Sequence, residues 1–163
     1  MTLTRDGIVE LDRAECLRRL AQAGVGRVST SVAALPTIFP VHYAMLDDDI
    51  VFRTAAGTTL ADAVQDAVIA FEIDDIDPWS TTGWSIVVVG HAREITGADQ
   101  IARAERLPLN RWQHGGAAET VLRISTEVVK GRTFGERRLP LWAERRPDHR
   151  PSALGLHGPP AAH

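Results

Sequence analysis

The residues best suited to chemistry in this sequence lie in the segment 51–60, VFRTAAGTTL. Its pattern predicts a strand, a tight turn and then the start of a helix. Arg53 offers a planar set of donors that matches phosphate oxygens, and Thr54, Thr58 and Thr59 add hydroxyl donors. The first backbone N–H groups of a helix also attract anions. The segment therefore predicts a binding site for a phosphate group.

The same residues also permit interpretations without a ligand. Arg53 is the kind of strand arginine that pairs with carboxylates, and residues 47–49 and Glu72 supply them. Thr59, followed by Asp62, also fits the N-cap of a helix. Both roles are compatible with phosphate contact, so the sequence leaves them open.

Composition narrows the class of protein. The chain has 163 residues, of which 44% are hydrophobic and 24% charged, which is typical of a globular domain with a real core. Its formal net charge of −3 argues against a nucleic-acid partner. Cys16 is the single cysteine, so no disulfide forms within the chain. Neither a signal peptide nor a membrane span is recognisable, which predicts a cytoplasmic protein without a membrane partner.

Several catalytic classes lack their motifs in this sequence. There is no Gly-rich dinucleotide fingerprint after a strand, no P-loop lysine motif and no nucleophile elbow. The six histidines lack the spacing of metal ligands, so no metal site is predicted. No residue is assigned a catalytic role from the sequence.

The elements that must position segment 51–60 are mostly strands. A capping box formed by Asp12 and Glu15 predicts the first helix, and Pro40 favours an edge position or a bulge for its strand. The continuous apolar run 86–89 predicts burial on both faces. Short helices are expected at 59–65 and after Thr96. The predicted strands are 25–31, 36–46, 50–54, 67–73, 84–95 and 120–128, with 132–134 as an extension of the last.

This pattern of strands and short helices predicts a small antiparallel barrel, mainly β with peripheral helices (α+β). Residues 1–144 are expected to form this domain. Residues 145–163 are rich in Pro, Gly, His and Ala and are expected to form a weakly structured tail.

Four short segments, taken in order and spacing, resemble the flavin-binding split-barrel family that includes pyridoxamine 5′-phosphate oxidase. The likeness covers residues 8–134 and is greatest to small actinobacterial-type members. The segments are LDRAECL at 11–17, LP at 35–36 through PVHY at 40–43, VFRT at 51–54 with Gly57, and GWS at 83–85 leading to Gly90.

The resemblance implies a six-stranded antiparallel split barrel that binds FMN at the interface of a homodimer and acts on a small-molecule substrate. It implies that the arginine–threonine strand and the following turn hold the phosphate. It also implies that strand 40–43 lies along the isoalloxazine ring. The cofactor-binding residues expected on this basis are Pro40, Val41, His42, Tyr43, Phe52, Arg53, Thr54, Thr58, Thr59, Trp84 and Ser85.

Two positions depart from the family pattern. Members commonly carry a lysine two residues after the turn glycine, where this chain has Thr59, and often an arginine at the position of His91. A phosphate monoester carries nearly two negative charges, of which Arg53 compensates only part. The departure at Thr59 predicts weak FMN binding or the use of another cofactor, such as a deazaflavin.

Three functions remain open at this point. The first is an FMN-dependent oxidoreductase, in which the flavin supplies hydride chemistry and the protein supplies orientation. The second is a non-catalytic flavin or deazaflavin carrier. The third is a split barrel that has lost its cofactor, which Thr59 favours.

Overall fold

The computed structural model describes residues 2–3, 8–80, 82–109 and 119–135. The predicted tail, 145–163, lies outside the described residues and stays a prediction, as does the domain boundary at 144. Most of the described residues lie in strands. The elements are β1 (Thr2–Leu3), β2 (Val9–Leu11), α1 (Arg13–Leu20), β3 (Val25–Val32), β4 (Leu35–Leu46), β5 (Asp49–Ala55), α2 (Thr59–Val64), β6 (Val68–Asp77), β7 (Thr82–Glu94), α3 (Ala98–Glu105), β8 (Glu119–Ile124) and β9 (Val128–Phe134).

Six of these strands close into a barrel. They pair in the order β7-β6-β3-β4-β5-β8, and β8 pairs again with β7. β9, β2 and β1 continue the sheet outward from β7. All the pairings are antiparallel. The predicted fold class, a six-stranded antiparallel split barrel with peripheral helices, is confirmed.

The barrel splits where β8 passes into β9 along the same side of β7. Ile124 of β8 pairs with Ala92, whereas Val128 of β9 pairs with Val89. Three residues, 125–127, therefore face the two residues between Val89 and Ala92, which is the geometry of a β-bulge. The predicted single strand 120–128 is wrong in this respect, because the bulge bends the chain from one partner region to the next.

Because side chains alternate between the two faces of each strand, every second residue points into the barrel interior. Tyr43 meets Phe71 edge to face, with ring centroids 4.8 Å apart and planes at 73°. Helix α1 begins as predicted, since the Asp12 carboxylate accepts the Glu15 backbone N–H at 2.9 Å. The largest fully buried side chains include Phe52, Phe71, Leu20, Ile50, Ile73, Ile86, Leu122 and Ile124.

A second, smaller core lies outside the barrel, under α3. Val51 on the outer face of β5 packs with Ile95 and with Ala104 of α3. In the same last turn of α3, Arg103 donates to both carboxylate oxygens of Asp47, at 2.5 and 2.7 Å, in the β4–β5 turn. These contacts hold α3 across the outer surface of β5.

The apolar run 86–89 is not buried on both faces. Ile86 and Val88 are fully buried inside, but Val87 points outward and is 37% exposed. The prediction was wrong because β7 has a strand on each side, but none of the described elements covers its outer face at Val87. None of the described helices is long and apolar enough to cross a membrane.

Candidate functional site

The predicted phosphate site lies where β5 ends and α2 begins. Arg53 lies on the outer face of β5 with Val51, beside α3, whereas Thr54 lies on the alternate face with Phe52. The next residues turn back at Gly57, whose φ of +71° suits a residue without a Cβ. Arg53 and Thr54 therefore reach the turn from opposite faces of one strand.

The threonines of this turn are hydrogen-bonded to one another. Thr58 donates to the carbonyl of Ala55 at 2.9 Å and accepts the backbone N–H of Ala61 at 3.2 Å. Thr54 Oγ1 lies 3.0 Å from Thr58 Oγ1. Because Thr58 has one hydroxyl proton and gives it to Ala55, Thr54 is the donor in this pair. The N-cap of α2 is therefore Thr58, and the interpretation of Thr59 as the cap was wrong.

Arg53 is largely enclosed, and its charge is partly compensated. Its Nη1 lies 3.3 Å from Oε2 of Glu119 on β8, and its Nη2 donates to the carbonyl of Ala104 at 3.4 Å. The Arg53 side chain is 17% exposed. Its Nε is buried without a hydrogen-bond partner among the described residues. The predicted pairing of Arg53 with 47–49 or Glu72 was wrong, since its carboxylate partner is Glu119.

The strand expected beneath a flavin ring presents only alternate residues outward. Pro40 is exposed and His42 is half-buried, with Nδ1 of His42 3.1 Å from the carbonyl of Gly24. Val41 and Tyr43 face the core and are 5% and 2% exposed. Their side chains are thus core residues, so any ligand contact at these two positions would have to come from the backbone.

Two further expected residues also serve the core or the sheet. Phe52 is fully buried within the barrel, so its side chain is not available to a ligand. Ser85 is nearly buried and accepts a hydrogen bond from Nε of Arg132 at 3.2 Å. Burial raises the pKa of the Tyr43 phenol, whose hydroxyl donates to the Leu20 carbonyl at 2.7 Å. These groups stabilise the barrel.

Trp84 lies far from Arg53 within one chain. Arg53 pairs with Val121, whose carbonyl accepts the N–H of Ile95 beyond the end of β7. Trp84 lies near the other end of β7, eleven residues before Ile95, roughly 35 Å of extended strand. There the guanidinium of Arg19 stacks on the indole, 4.8 Å from the ring centroid. One chain does not bring Trp84 and Arg53 into one site.

His91 belongs to a separate cluster at the bulge. Its Nδ1 lies 2.8 Å from Oε1 of Glu127, which also accepts the Ser125 hydroxyl at 2.7 Å. The hydrogen bond from His91 lowers the pKa of Glu127. The position noted as a departure from the family thus anchors the β8–β9 connection.

Within the described ranges, no group of three or more His, Cys, Asp or Glu side chains is placed to hold a metal ion. The residue that sequence reasoning missed is Glu119. It lies 66 positions from Arg53, and only the pairing of β5 with β8 brings them together.

Comparison with known proteins assigns this architecture to a family. A family model described as pyridoxamine 5′-phosphate oxidase matches residues 12–133, more than half of the chain. The chain therefore belongs to the pyridoxamine 5′-phosphate oxidase family, as its four segments predicted.

Three relatives illustrate the similarity. The uncharacterized protein Rv0080 of Mycobacterium tuberculosis is 42% identical over 129 residues, covering 76% of this chain and 84% of the relative. The structure of the FAD-binding protein from Mycobacterium smegmatis has a TM-score of 0.70 and 32% identity, covering 77% of this chain and 98% of that one. An FAD-binding protein from Mesorhizobium loti has a TM-score of 0.63 over 77% of this chain and 97% of its own. At 21% identity, it shows the shared fold alone.

Proposed function

We propose that this chain binds a flavin nucleotide, with a phosphate at the β5–α2 turn, and uses it as an oxidoreductase on a small-molecule substrate. The observation that carries the proposal is the buried Nε of Arg53, a donor without a hydrogen-bond partner among the described residues. Since buried donors are nearly always satisfied in native proteins, an anionic acceptor here would complete the site. Family membership and the likeness to an FAD-binding protein support the same ligand class.

The residues present fit a flavin phosphate in donor chemistry. Arg53 supplies charge and a directed N–H. The Thr54 hydroxyl, which donates to Thr58 in this structure, would donate to a phosphate oxygen after rotation about its C–O bond. A bound flavin supplies hydride chemistry, so the side chains need only hold and orient it and exclude water. FMN is the form that the sequence predicts, and a deazaflavin is the alternative.

We also propose that the protein is a homodimer with the flavin between its subunits. The outer face of the sheet carries a row of cross-strand neighbours that is apolar except for one serine. The row runs Val128, Val89, Ala70, Ser29 and Ile38. Within it, Val128 and Ile38 are 45% and 64% exposed, and Val87 beside it is 37% exposed. An apolar strip across five strands is well suited to a self-complementary interface.

A dimer also explains the separation of two expected site residues. Trp84 and Arg53 lie at opposite ends of β7 in one chain, so a shared site requires that they come from different subunits. A flavin whose phosphate is held by one subunit and whose ring lies against the other would use both.

The first experiment is the absorbance spectrum of the freshly purified protein, followed by titration of apo-protein with FMN and with FAD. The matched variants are Arg53→Ala, Thr54→Ala and Arg93→Ala, the last removing an exposed arginine that lies 3.8 Å from Asp66. Loss of Arg53 is expected to weaken binding about 10- to 100-fold because it removes a charge-assisted donor. Thr54→Ala is expected to cost less, and Arg93→Ala nothing. Equal affinities for wild type and Arg53→Ala would contradict the phosphate site.

Steady-state turnover with reduced nicotinamide separates an enzyme from a carrier. An oxidoreductase is expected to oxidise NADH or NADPH with an added electron acceptor, at a rate that depends on bound flavin. A flavin-loaded protein without turnover would instead support the carrier function.

A further inference from the structure

We infer that Glu119 makes the phosphate site select the diphosphate of the dinucleotide FAD, whose phosphates carry one negative charge each, over the phosphate monoester of FMN. This inference rests on the proposed flavin function. Its starting observation is the contact between the only cation of the turn segment and a carboxylate from a different strand. Arg53 Nη1 and Glu119 Oε2 lie 3.3 Å apart, with both side chains mostly enclosed, at 17% and 26% exposure.

Within the strand and turn that carry Arg53, carboxylates outnumber the single cation. In residues 49–66 the ionisable side chains are Arg53 and the carboxylates of Asp49, Asp62 and Asp66. The family lysine is replaced by Thr59, and the single lysine of the chain, Lys130, lies on β9. Asp49 has its own partner, since its Oδ2 lies 3.6 Å from Arg123.

A second negative group faces the same guanidinium. The carbonyl of Ala104 accepts from Nη2 of Arg53 at 3.4 Å, and it belongs to the last turn of α3, where the helix dipole is negative. Arg53 therefore meets a full negative charge on one nitrogen and a partial one on the other. Its Nε is buried and has no hydrogen-bond partner among the described residues.

These charges act unequally on the two flavin nucleotides. The terminal phosphate of FMN carries nearly two negative charges near neutral pH. Each phosphate of the FAD diphosphate carries one, so the second negative charge lies one phosphate farther away. Repulsion from Glu119 rises with the charge of the phosphate beside Arg53. Glu119 is thus a specificity-determining residue that acts on the phosphate beside Arg53.

The test compares dissociation constants for FMN and FAD in wild type and in Glu119→Gln. Removing the carboxylate is expected to tighten FMN binding on the order of tenfold and FAD binding by less, since repulsion falls more for the more highly charged phosphate. Glu119→Thr repeats the test with a residue favoured in strands, and Glu119→Asp, which keeps the charge, is expected to retain the wild-type preference. Glu105→Gln, an exposed carboxylate next to Ala104, controls for a general change in net charge.

A double variant shows whether the effect acts on the phosphate itself. In the Arg53→Gln background, Glu119→Gln is expected to tighten FMN binding more than FAD binding, as in the wild-type background, because the repulsion acts on the phosphate itself. Flavin binding with the same ratio in wild type and both charge-removing variants would overturn the role of Glu119 while leaving the flavin site intact. Absence of binding of either flavin to any variant would overturn the proposed function itself.

Discussion

The hydroxyl of Tyr43 donates to the carbonyl of Leu20 at 2.7 Å and so ties the middle of β4 to the last residue of α1. Both residues are buried, at 2% and 0% exposure. The family resemblance places Tyr43 beside a cofactor, but its hydroxyl forms a hydrogen bond within the fold.

Tyr43→Phe is expected to lower the free energy of unfolding by about 1–3 kcal/mol, because the buried Leu20 carbonyl loses its partner. Flavin affinity is expected to stay the same. Chemical denaturation and flavin titration measure the two quantities. Thr37→Val is the control, since it removes an exposed hydroxyl that donates to Leu35 at 3.3 Å. A stable Tyr43→Phe variant that binds flavin less tightly would return this residue to the site.

Gly90→Ala is expected to destabilise the barrel by about 1–3 kcal/mol or more, as overpacking does. An added Cβ would lie 1.7 Å from the carbonyl oxygen of Ser125, which is backbone and cannot rotate away. Gly24→Ala is the matched control, because its Cβ meets nothing within 4 Å. Equal melting temperatures for the two variants would show that the bulge is easily displaced.

Glu15→Gln is expected to make the free energy of unfolding depend less on pH in the acid range. Hydrogen bonds from Arg18 and then Arg19 lower the pKa of Glu15 from 4.5 to about 2. A carboxylate with a lowered folded-state pKa stabilises the fold above the unfolded value and loses that contribution as pH falls through the folded value. The variant should therefore differ from wild type above pH 4.5 and converge toward it near pH 2. Thermal melts across this pH range measure the difference in stability between variant and wild type, with Glu105→Gln as control.

Thr59→Lys is expected to increase the rise in melting temperature that FMN produces. The lysine restores the charge that the family commonly places here, and Thr58 keeps the N-cap. Without ligand the cost is expected to be about 0.3–1 kcal/mol, since an ammonium meets the positive end of the α2 dipole. Gln65→Lys, at the other end of α2, is the control. An unchanged or smaller FMN shift would place the phosphate elsewhere.

Val87→Lys is expected to weaken dimerisation on the order of 100-fold, because a symmetric interface receives the substitution twice. Sedimentation at micromolar concentration measures the monomer–dimer equilibrium. Leu35→Lys, at a residue 69% exposed beside the β3–β4 turn, is the control. A monomeric wild-type protein would contradict both the dimer and the shared site.

Local sequence signals predicted the elements well because each acts over a few residues. The Asp12 cap, the strand around Ile50 and the turn at Gly57 all follow from neighbouring side chains. Pro40 also lies where expected, since β4 pairs with β5 only from Tyr43 onward. At Pro40 one side of the strand has no ladder among the described residues.

Contacts that depend on the pairing of strands far apart in the sequence could not be predicted. Glu119 meets Arg53 only because β8 lies beside β5, and nothing near either residue indicates it. The exposure of Val87 depends in the same way on what covers the outer face of β7. Alternation along a strand predicts which residues share a face, but it does not predict which face another molecule covers.

The bulge at 125–127 reverses the alternation of side chains between β8 and β9. Ile124 and Val128 are four residues apart and would share a face in a regular strand, yet Ile124 is fully buried and Val128 is 45% exposed. Because of the extra residue, Gly131 lies close to the buried Cys16, whereas Lys130 and Arg132 are exposed. Removing one of the three residues would leave two residues facing two, so Val128 would keep its pairing with Val89 and its outward face. Surface connections usually accept insertions and deletions, and this one should accept a single deletion without a change of register in β9.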